Sequence, residues 1–203
     1  MKIVVMVEGA TERVFRPFLI KYLKRHLAGK MPKLHFHCYS GRIPTGDKLR
    51  RVVSNYLNEA DHVIALTDLY TGSIPPEFSG ADDAKQKMRN WAAVEARFHP
   101  HVAKHDFEAW LLSYWPTILK LAKHNRAAPS SEPENVNHCT PPSHHIKEVF
   151  RTGEAGKYYS KVRDAFRILN DKDNDLSIAI DKCPELKSFI STILKLSGGS
   201  KLL

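Results

Sequence analysis

A run of five apolar residues near the start of the chain, residues 3–7, is the feature that most constrains the fold. Such a run is typical of a strand that is buried on both faces, as in a parallel sheet. Glu8 and Gly9 end the run, and Thr11 can cap the helix that follows. The sequence therefore predicts a carboxylate at the carboxyl end of an inner strand, where open α/β sheets place their binding sites.

The strand-then-helix pattern recurs along the first part of the chain. Residues 34–40, 62–67 and 99–104 are predicted as further strands, and the helix before the last of them is predicted to run to Phe98. Alternating strands and helices predict parallel strands with right-handed crossovers. The predicted fold class is α/β: a Rossmann-like, mostly parallel four-stranded sheet flanked by helices, with a C-terminal helical extension.

The chain divides into two predicted parts. Residues 1–123 are predicted to form the α/β domain, and residues 124–203 a loop and helical extension packed on the same domain, because the stretch after residue 123 is polar and rich in proline. A helix is predicted over residues 156–169, with Val162, Phe166 and Leu169 on one side.

Composition predicts a cytoplasmic protein without a membrane partner. No stretch approaches the roughly 18 apolar residues that span a bilayer, and Glu8 interrupts the apolar start too early for a signal peptide. Three scattered cysteines, Cys38, Cys139 and Cys183, form no CxxC pair. They indicate a reducing compartment and argue against a disulfide framework or a cysteine zinc site.

The positive charge of the chain is concentrated in one segment. The formal net charge is +9, and residues 13–51 contain eleven lysines and arginines but one acid, Asp47. A basic block of this kind indicates a polyanionic partner, nucleic acid first. An ordinary solvated helix face is equally compatible with it, since lysine and arginine are common on exposed helices.

The loop at residues 41–48 carries glycines and a lysine, as a phosphate-binding loop does. It is not a Walker A loop, because Asp47 precedes Lys48 and a leucine stands where Ser or Thr must hold magnesium. A looser phosphate or nucleic-acid contact around the start of a helix remains plausible. The residues predicted to make it are Arg42, Lys48, Arg50 and Arg51.

Acidic residues follow three of the predicted strands: Glu8, Asp68, and the pair Asp106 and Glu108. Because parallel strands end at one edge of a sheet, these side chains are predicted to converge there. Converging carboxylates raise one another's pKa unless a cation lies between them, and hard oxygen ligands suit Mg²⁺ or Mn²⁺. Each acid alone could equally be a helix-dipole partner, a cap or a salt-bridge residue.

The motifs around these acids resemble a known family. VEGATE after the first strand and LTDLY after a later one resemble the Toprim domain of topoisomerases, primases and overcoming-lysogenization-defect (OLD) nucleases. Together with HDFEAWLL, SEPENVN, PPSHHIKEVF and KCPELKSF, they more closely resemble an uncharacterised bacterial Toprim-like family. Members of that family are often encoded beside an ATPase in phage-defence or mobile loci.

The resemblance implies a Mg²⁺-dependent, nuclease-like site. Glu8 matches the Toprim glutamate, and Asp68 matches the first aspartate of the DxD motif. The sequence departs from the pattern at Tyr70, where a second aspartate is expected, and this puts a two-metal site in doubt. Asp106 and Glu108 are then the candidates for the missing oxygen ligands. Three further residues are predicted to support the ligands or stand in for them: Glu12, Tyr70 and His105.

Three functions are compatible with the sequence. The first is a metal-dependent phosphodiesterase, a nuclease acting on DNA or RNA. In it Glu8, Asp68 and Glu108 hold the ion, Asp106 and Glu12 assist, and Lys104 neutralises the leaving oxygen. The second is a catalytically degenerate binding subunit of an ATPase complex, which Tyr70 favours. The third is hydrolysis of a small phosphorylated metabolite. The sequence leaves all three open, together with the oligomeric state.

Overall fold

A four-stranded parallel sheet forms the centre of the molecule. The structure is a computed structural model that describes residues 1–69, 76–94, 96–136, 140–154, 156 and 158–200. The strands pair in the order β2-β1-β3-β4, every pair in parallel. Their bounds are β1 Lys2–Val7, β2 Lys33–Cys38, β3 His62–Asp68 and β4 Phe98–Ala103. The predicted α/β fold class is confirmed.

Helices flank the sheet and form the C-terminal part of the chain. They are α1 Ala10–His26, α2 Gly46–Leu57, α3 Ala81–Ala92, α4 Glu108–Leu111, α5 Trp115–Ala122, α6 Pro142–Thr152, α7 Lys161–Leu169, α8 Leu176–Lys182 and α9 Pro184–Leu196. Two short 3₁₀ turns cover Leu112–Tyr114 and Pro133–Asn135. No helix in the described part of the chain is long and apolar enough to cross a membrane.

The sheet is buried on both faces, as the first apolar run predicts. Alternate residues of β1 enter different cores: Val5 packs in the cluster that contains helix α1, and Met6 packs in the cluster that contains α2 and α3. Both side chains are fully buried. A strand whose two faces both meet apolar layers has no polar face, which is why the run does not alternate.

The helical extension shares the larger core with the α/β region. Phe150 of α6, Ala165 of α7 and Phe189 of α9 are buried in the same cluster as Val5 of β1 and Phe15 of α1. The predicted division at residue 123 stays a prediction, but side chains from both sides of it exclude water from one another. This shared core brings residues of α6 and α7 to the carboxyl edge of the sheet.

Two local predictions are wrong. The helix predicted to run to Phe98 ends at Ala92, because Ala93 adopts a left-handed backbone conformation (φ 54°) that closes it, and Phe98 instead opens β4. The cap of α1 is Gly9, whereas Thr11 lies inside the helix and is buried. Two residues singled out in the sequence, Tyr70 and Cys139, lie outside the described part of the chain.

Candidate active site

Glu8 leaves the end of β1 directly beside the end of β3. The strands are in register with Val7 opposite Leu66, so the next residues along, Glu8 and Thr67, are neighbours. The Thr67 hydroxyl donates a hydrogen bond to Glu8 Oε1. Burial raises the pKa of Glu8 above its usual value, although Thr67, two backbone N–H groups and Arg42 oppose that shift. Glu8 is therefore oriented by the sheet and only partly shielded from neighbouring charges.

Asp68, the last residue of β3, is the carboxylate on which the charges of the other acids act. Loss of water around its carboxyl group raises the pKa of Asp68 well above the usual value. The negative charges of four other side chains raise it further: Glu8, Glu12, Asp106 and Glu108. Charges act this strongly only at short range. The acids predicted to converge from three strand ends are thus within electrostatic reach of one carboxyl group.

Glu12 points back from the first turn of α1 toward the strand end. Its side chain is only 5% exposed, and it accepts hydrogen bonds from the backbone N–H groups of Gly9 and of Glu12 itself. This is the reach-back of a capping box, with a glycine as the cap. A Cβ at position 9 would lie 3.1 Å from Glu12 Oε2, so glycine there leaves room for the carboxylate. Burial first, and then the charge of Glu8, raise the pKa of Glu12.

Asp106 follows β4 and meets the start of helix α6. Its Oδ2 accepts a hydrogen bond of 3.2 Å from the backbone N–H of Ser143, where the positive end of the helix dipole favours a negative charge. Its Oδ1 is buried and has no hydrogen-bond partner among the described residues. Burial raises the pKa of Asp106 despite the contact with Ser143. One oxygen of this carboxylate is thus fixed, and the other is available to a ligand.

Glu108 opens α4, and its side chain is only 1% exposed. Lys161, the first residue of α7, places its Nζ 3.2 Å from Oε1 of Glu108, and the Tyr159 hydroxyl donates to the same oxygen at 3.5 Å. Burial and the charge of Asp106 raise the pKa of Glu108 to about 7. Burial lowers the pKa of Lys161, but the nearby carboxylates outweigh it and raise that pKa above its usual value. A lysine ammonium therefore lies among the carboxylates.

Lys161 is among the site residues that sequence reasoning missed. It lies 53 positions after Glu108, in a helix with no motif of its own, and only the packing of α7 on α1 brings it to the site. Lys104, the lysine predicted to serve the leaving oxygen, donates instead to Asn135 Oδ1 at 2.6 Å. His105 is buried, with a left-handed backbone (φ 73°) at the turn from β4 toward α4.

The predicted phosphate-binding residues are only partly at the site. Arg42 lies in the loop beside Glu8 and contributes a favourable charge to it, while forming an ion pair with Glu77. Lys48, Arg50 and Arg51 are exposed on the first turns of α2. Arg50 Nη1 lies 3.8 Å from Asp47 Oδ1 on the same helix. Their role in phosphate binding stays a prediction.

The donor set suits a divalent metal ion, although its side chains are held apart. Within the described ranges, no three His, Cys, Asp or Glu side chains are arranged to hold an ion as they stand. Three of the carboxylates instead have separate partners: Thr67 for Glu8, Ser143 for Asp106, and Lys161 for Glu108. Several carboxylates, one with a buried unpartnered oxygen, match the preference of Mg²⁺ or Mn²⁺ for hard oxygen ligands.

Comparisons with known proteins agree with this architecture. The family model described as a domain of unknown function (DUF4276) matches residues 7–194. The chain is similar in structure to the C-terminal region of the Burkholderia pseudomallei OLD protein, with a TM-score of 0.55 and 15% sequence identity. The alignment covers 96% of this chain and 98% of that chain. Among curated proteins no match is found. At this level of identity the similarity shows a shared fold.

Proposed function

The chain belongs to the DUF4276 family, a domain of unknown function, and from that premise we propose that it is a metal-dependent phosphodiesterase of Toprim type that cleaves nucleic acid. The observation that carries the proposal is that the charges of Glu8, Glu12, Asp106 and Glu108 all act on Asp68, where β3 ends beside β1 and β4. Packing so many carboxylates together is unfavourable unless a cation compensates them. The fold similarity to the C-terminal region of an OLD protein supports this assignment.

We assign the metal ligands to Glu8, Asp68, Asp106 and Glu108, with Glu12 as a supporting or alternative ligand. A bound Mg²⁺ or Mn²⁺ would supply activation of water and stabilisation of the leaving oxygen. Hydrogen bonds from Thr67 and from backbone N–H groups orient Glu8 before any ligand binds.

The protein also supplies positive charge of its own. Lys161 is in place to neutralise the charge that develops on a phosphodiester beside Glu108, the task that the sequence suggested for Lys104. Arg42, close to Glu8, is in place to contact a neighbouring phosphate. Preorganised charges of this kind contribute most where water is largely excluded, and Glu108 is buried.

The partner proposed for this activity is nucleic acid, with an ATPase as a second partner. The basic segment 13–51 supports nucleic acid. The proposal of an ATPase partner rests on the motif resemblance to a family whose members are often encoded beside an ATPase. A role in phage defence has the same basis and is proposed with it.

Glu8→Gln tests the assignment directly. The amide keeps the size of the side chain but removes a charged ligand, so cleavage of labelled DNA or RNA in Mg²⁺ or Mn²⁺ should fall by about a hundredfold or more. Glu59→Gln is the matched control, because Glu59 is exposed and pairs with Lys2 at the amino edge of the sheet. If Glu8→Gln cuts as fast as the parent while Mg²⁺ or Mn²⁺ is required, the site lies elsewhere.

A second candidate function is a catalytically degenerate binding subunit. The specific observation that favours it is Lys161, whose ammonium lies among the carboxylates where a cation is expected. This candidate predicts no heat of Mg²⁺ or Mn²⁺ binding in calorimetry, and no cleavage by the chain alone or with its neighbouring ATPase. Detectable binding of either ion by the parent but not by Asp68→Asn would reject it.

A further inference from the structure

We propose that the exposed face of α7 and the adjoining part of α1 guide a single strand of nucleic acid to the carboxylates. This surface, called the α7 face below, consists of Tyr158, Val162, Arg163, Phe166 and Arg167 with Phe18 and Lys21 of α1. The proposal rests on the proposed function, because it takes the carboxylates as the place of cleavage.

Three exposed apolar side chains lie on α7 or just before it. Tyr158, Val162 and Phe166 are 87%, 45% and 47% exposed, and the other large hydrophobic residue exposed in the described chain is Met1. Val162 and Phe166 are one helical turn apart, so they are neighbours along the helix. Exposed apolar residues are ordinarily scattered singly over a protein surface. Three of them within residues 158–166 therefore indicate a surface that binds a partner.

The sequence pattern predicted Val162, Phe166 and Leu169 together on one side of this helix. Leu169 is buried, but Val162 and Phe166 are exposed. The structure buries the opposite side of α7 instead, with Ala165 and Ile168 in the large core. Asp164 is also fully buried. The side of α7 that carries Asp164 is thus packed against the core, and Val162 and Phe166 face solvent.

Positively charged residues lie on either side of Phe166 in the sequence of α7. Arg163 and Arg167 both contact the buried Asp164, at 2.9 Å and 3.2 Å, so one carboxylate balances two guanidinium groups. On α1, the ring of Phe18 lies 5.9 Å from the ring of Phe166. Lys21, one turn further along α1, lines a small cleft of about 120 Å³ between α1 and the end of α7. This surface therefore carries both apolar rings and cations.

The face begins at the proposed active site. Lys161 belongs to the same helix, and its ammonium contacts Glu108. Tyr159, next to the exposed Tyr158, donates its hydroxyl to Glu108. A polymer lying along α7 would therefore reach the carboxylates at the start of the helix.

The combination of rings and cations favours a single-stranded polyanion over the other occupants of an apolar surface. Single-strand binding sites pair aromatic side chains, on which bases stack, with a positively charged path for the backbone. In a duplex the base faces are covered by their neighbours, so such rings would have little to stack on. A protein that docks by apolar contacts alone would gain nothing from the flanking arginines.

The test measures binding separately from cleavage. Fluorescence anisotropy of the full chain with labelled oligothymidylate, oligouridylate and a duplex is recorded in EDTA, where metal-dependent cleavage cannot proceed. The double variant Tyr158→Ala, Phe166→Ala should bind either single strand at least about tenfold more weakly than the parent. Tyr158→Phe, which keeps the ring, should bind like the parent.

Charge is tested with a matched pair of lysines. Lys21→Gln should lower the slope of log affinity against log salt by about 1, as expected for one lost phosphate contact. Lys195→Gln, at an exposed position in the last turn of α9 and outside both the α7 face and the basic segment 13–51, should leave the slope unchanged. Comparison of the two oligonucleotides shows whether DNA or RNA is preferred.

Three results would overturn the proposal. The double variant could bind single strands as tightly as the parent, or it could lose self-association or ATPase binding with unchanged affinity for nucleic acid. The parent could also bind duplex more tightly than single strands. None of these results affects the Glu8→Gln cleavage test, so failure of the α7 face and failure of the proposed function are distinguishable.

Discussion

Nζ of Lys161 lies 3.2 Å from Oε1 of Glu108, although the two residues are 53 positions apart in the chain. Glu108 follows β4, and Lys161 belongs to the helical extension. The contact gives a buried carboxylate a cationic partner, which a buried charge requires. It also means that the carboxylate site is completed by a part of the chain that does not form the sheet.

Replacement of this lysine should impair both activity and stability. Lys161→Met keeps most of the side-chain length but leaves Glu108 without its ammonium partner. The free energy of unfolding should fall by about 1–2 kcal/mol, a modest value because the lysine is half exposed, and cleavage should fall by about a hundredfold. Urea denaturation and a cleavage assay measure the two effects. Lys172→Met, on an exposed turn, is the control; equal losses in both variants would show that the contact with Glu108 has no special role.

The high pKa of Glu108 predicts a dependence of stability on pH. The folded-state pKa of about 7 lies above the ordinary value of 4.5, so between these values the folded state holds more protons than the unfolded state. Stability contributed by this group is therefore greatest at low pH and is lost as pH rises toward 7. Glu108→Gln does not titrate and should be more stable than the parent above pH 7, by about 1–3 kcal/mol.

The pH effect of Glu108 is measured as the difference in free energy of unfolding between the parent and Glu108→Gln. Burial lowers the pKa of His99 to about 4 and that of His101 to about 3. Below about pH 6.5 both histidines are therefore protonated more readily in the unfolded state, and the free energy of unfolding of the protein falls. Their contribution cancels when the two proteins are compared at each pH by urea denaturation. A stability difference that stays constant from pH 4 to pH 8 would contradict the raised pKa of Glu108.

Asp68→Asn separates charge repulsion from metal binding. Removing the central negative charge should stabilise the metal-free protein by about 1–2 kcal/mol, because four neighbouring carboxylates no longer oppose it. In the parent, Mg²⁺ at about a hundred times its Kd should add about 2–3 kcal/mol of stability, and this gain should be absent from the variant. Thermal melting with and without Mg²⁺ measures both. Asp82→Asn, with a fully exposed side chain, should respond to Mg²⁺ as the parent does.

Gly153 tests the packing of the extension against helix α5. Its backbone angles are open to any residue (φ −72°), but a Cβ at this position would overlap the carbonyl oxygen of Ala122. Gly153→Ala should therefore lower the free energy of unfolding by about 3 kcal/mol. Gly80→Ala, where a Cβ meets nothing within 4 Å, should change it little. Equal stability of the two variants would show that Ala122 and Gly153 are not in close contact.

The acids at the strand ends could be predicted because their cause is local. Glu8 and Asp68 directly follow apolar runs, and parallel pairing by itself carries such residues to one edge. The cap of α1 was misassigned to Thr11, because a hydroxyl is the commoner cap. The Glu12 carboxylate needs space beside Gly9, which depends on the folded structure, and helix-capping propensities do not predict it.

The amino-acid sequence by itself determined the parallel sheet, the four strands along the chain, and the presence of carboxylates where three of them end. These follow from patterns over a few neighbouring residues and from the chirality of the chain. Only the tertiary structure decided which cation meets Glu108, which side of α7 faces solvent, and that Ser143 holds one oxygen of Asp106. Those contacts join residues that are distant in sequence, and their energies depend on burial and distance, which exist only once the chain has packed.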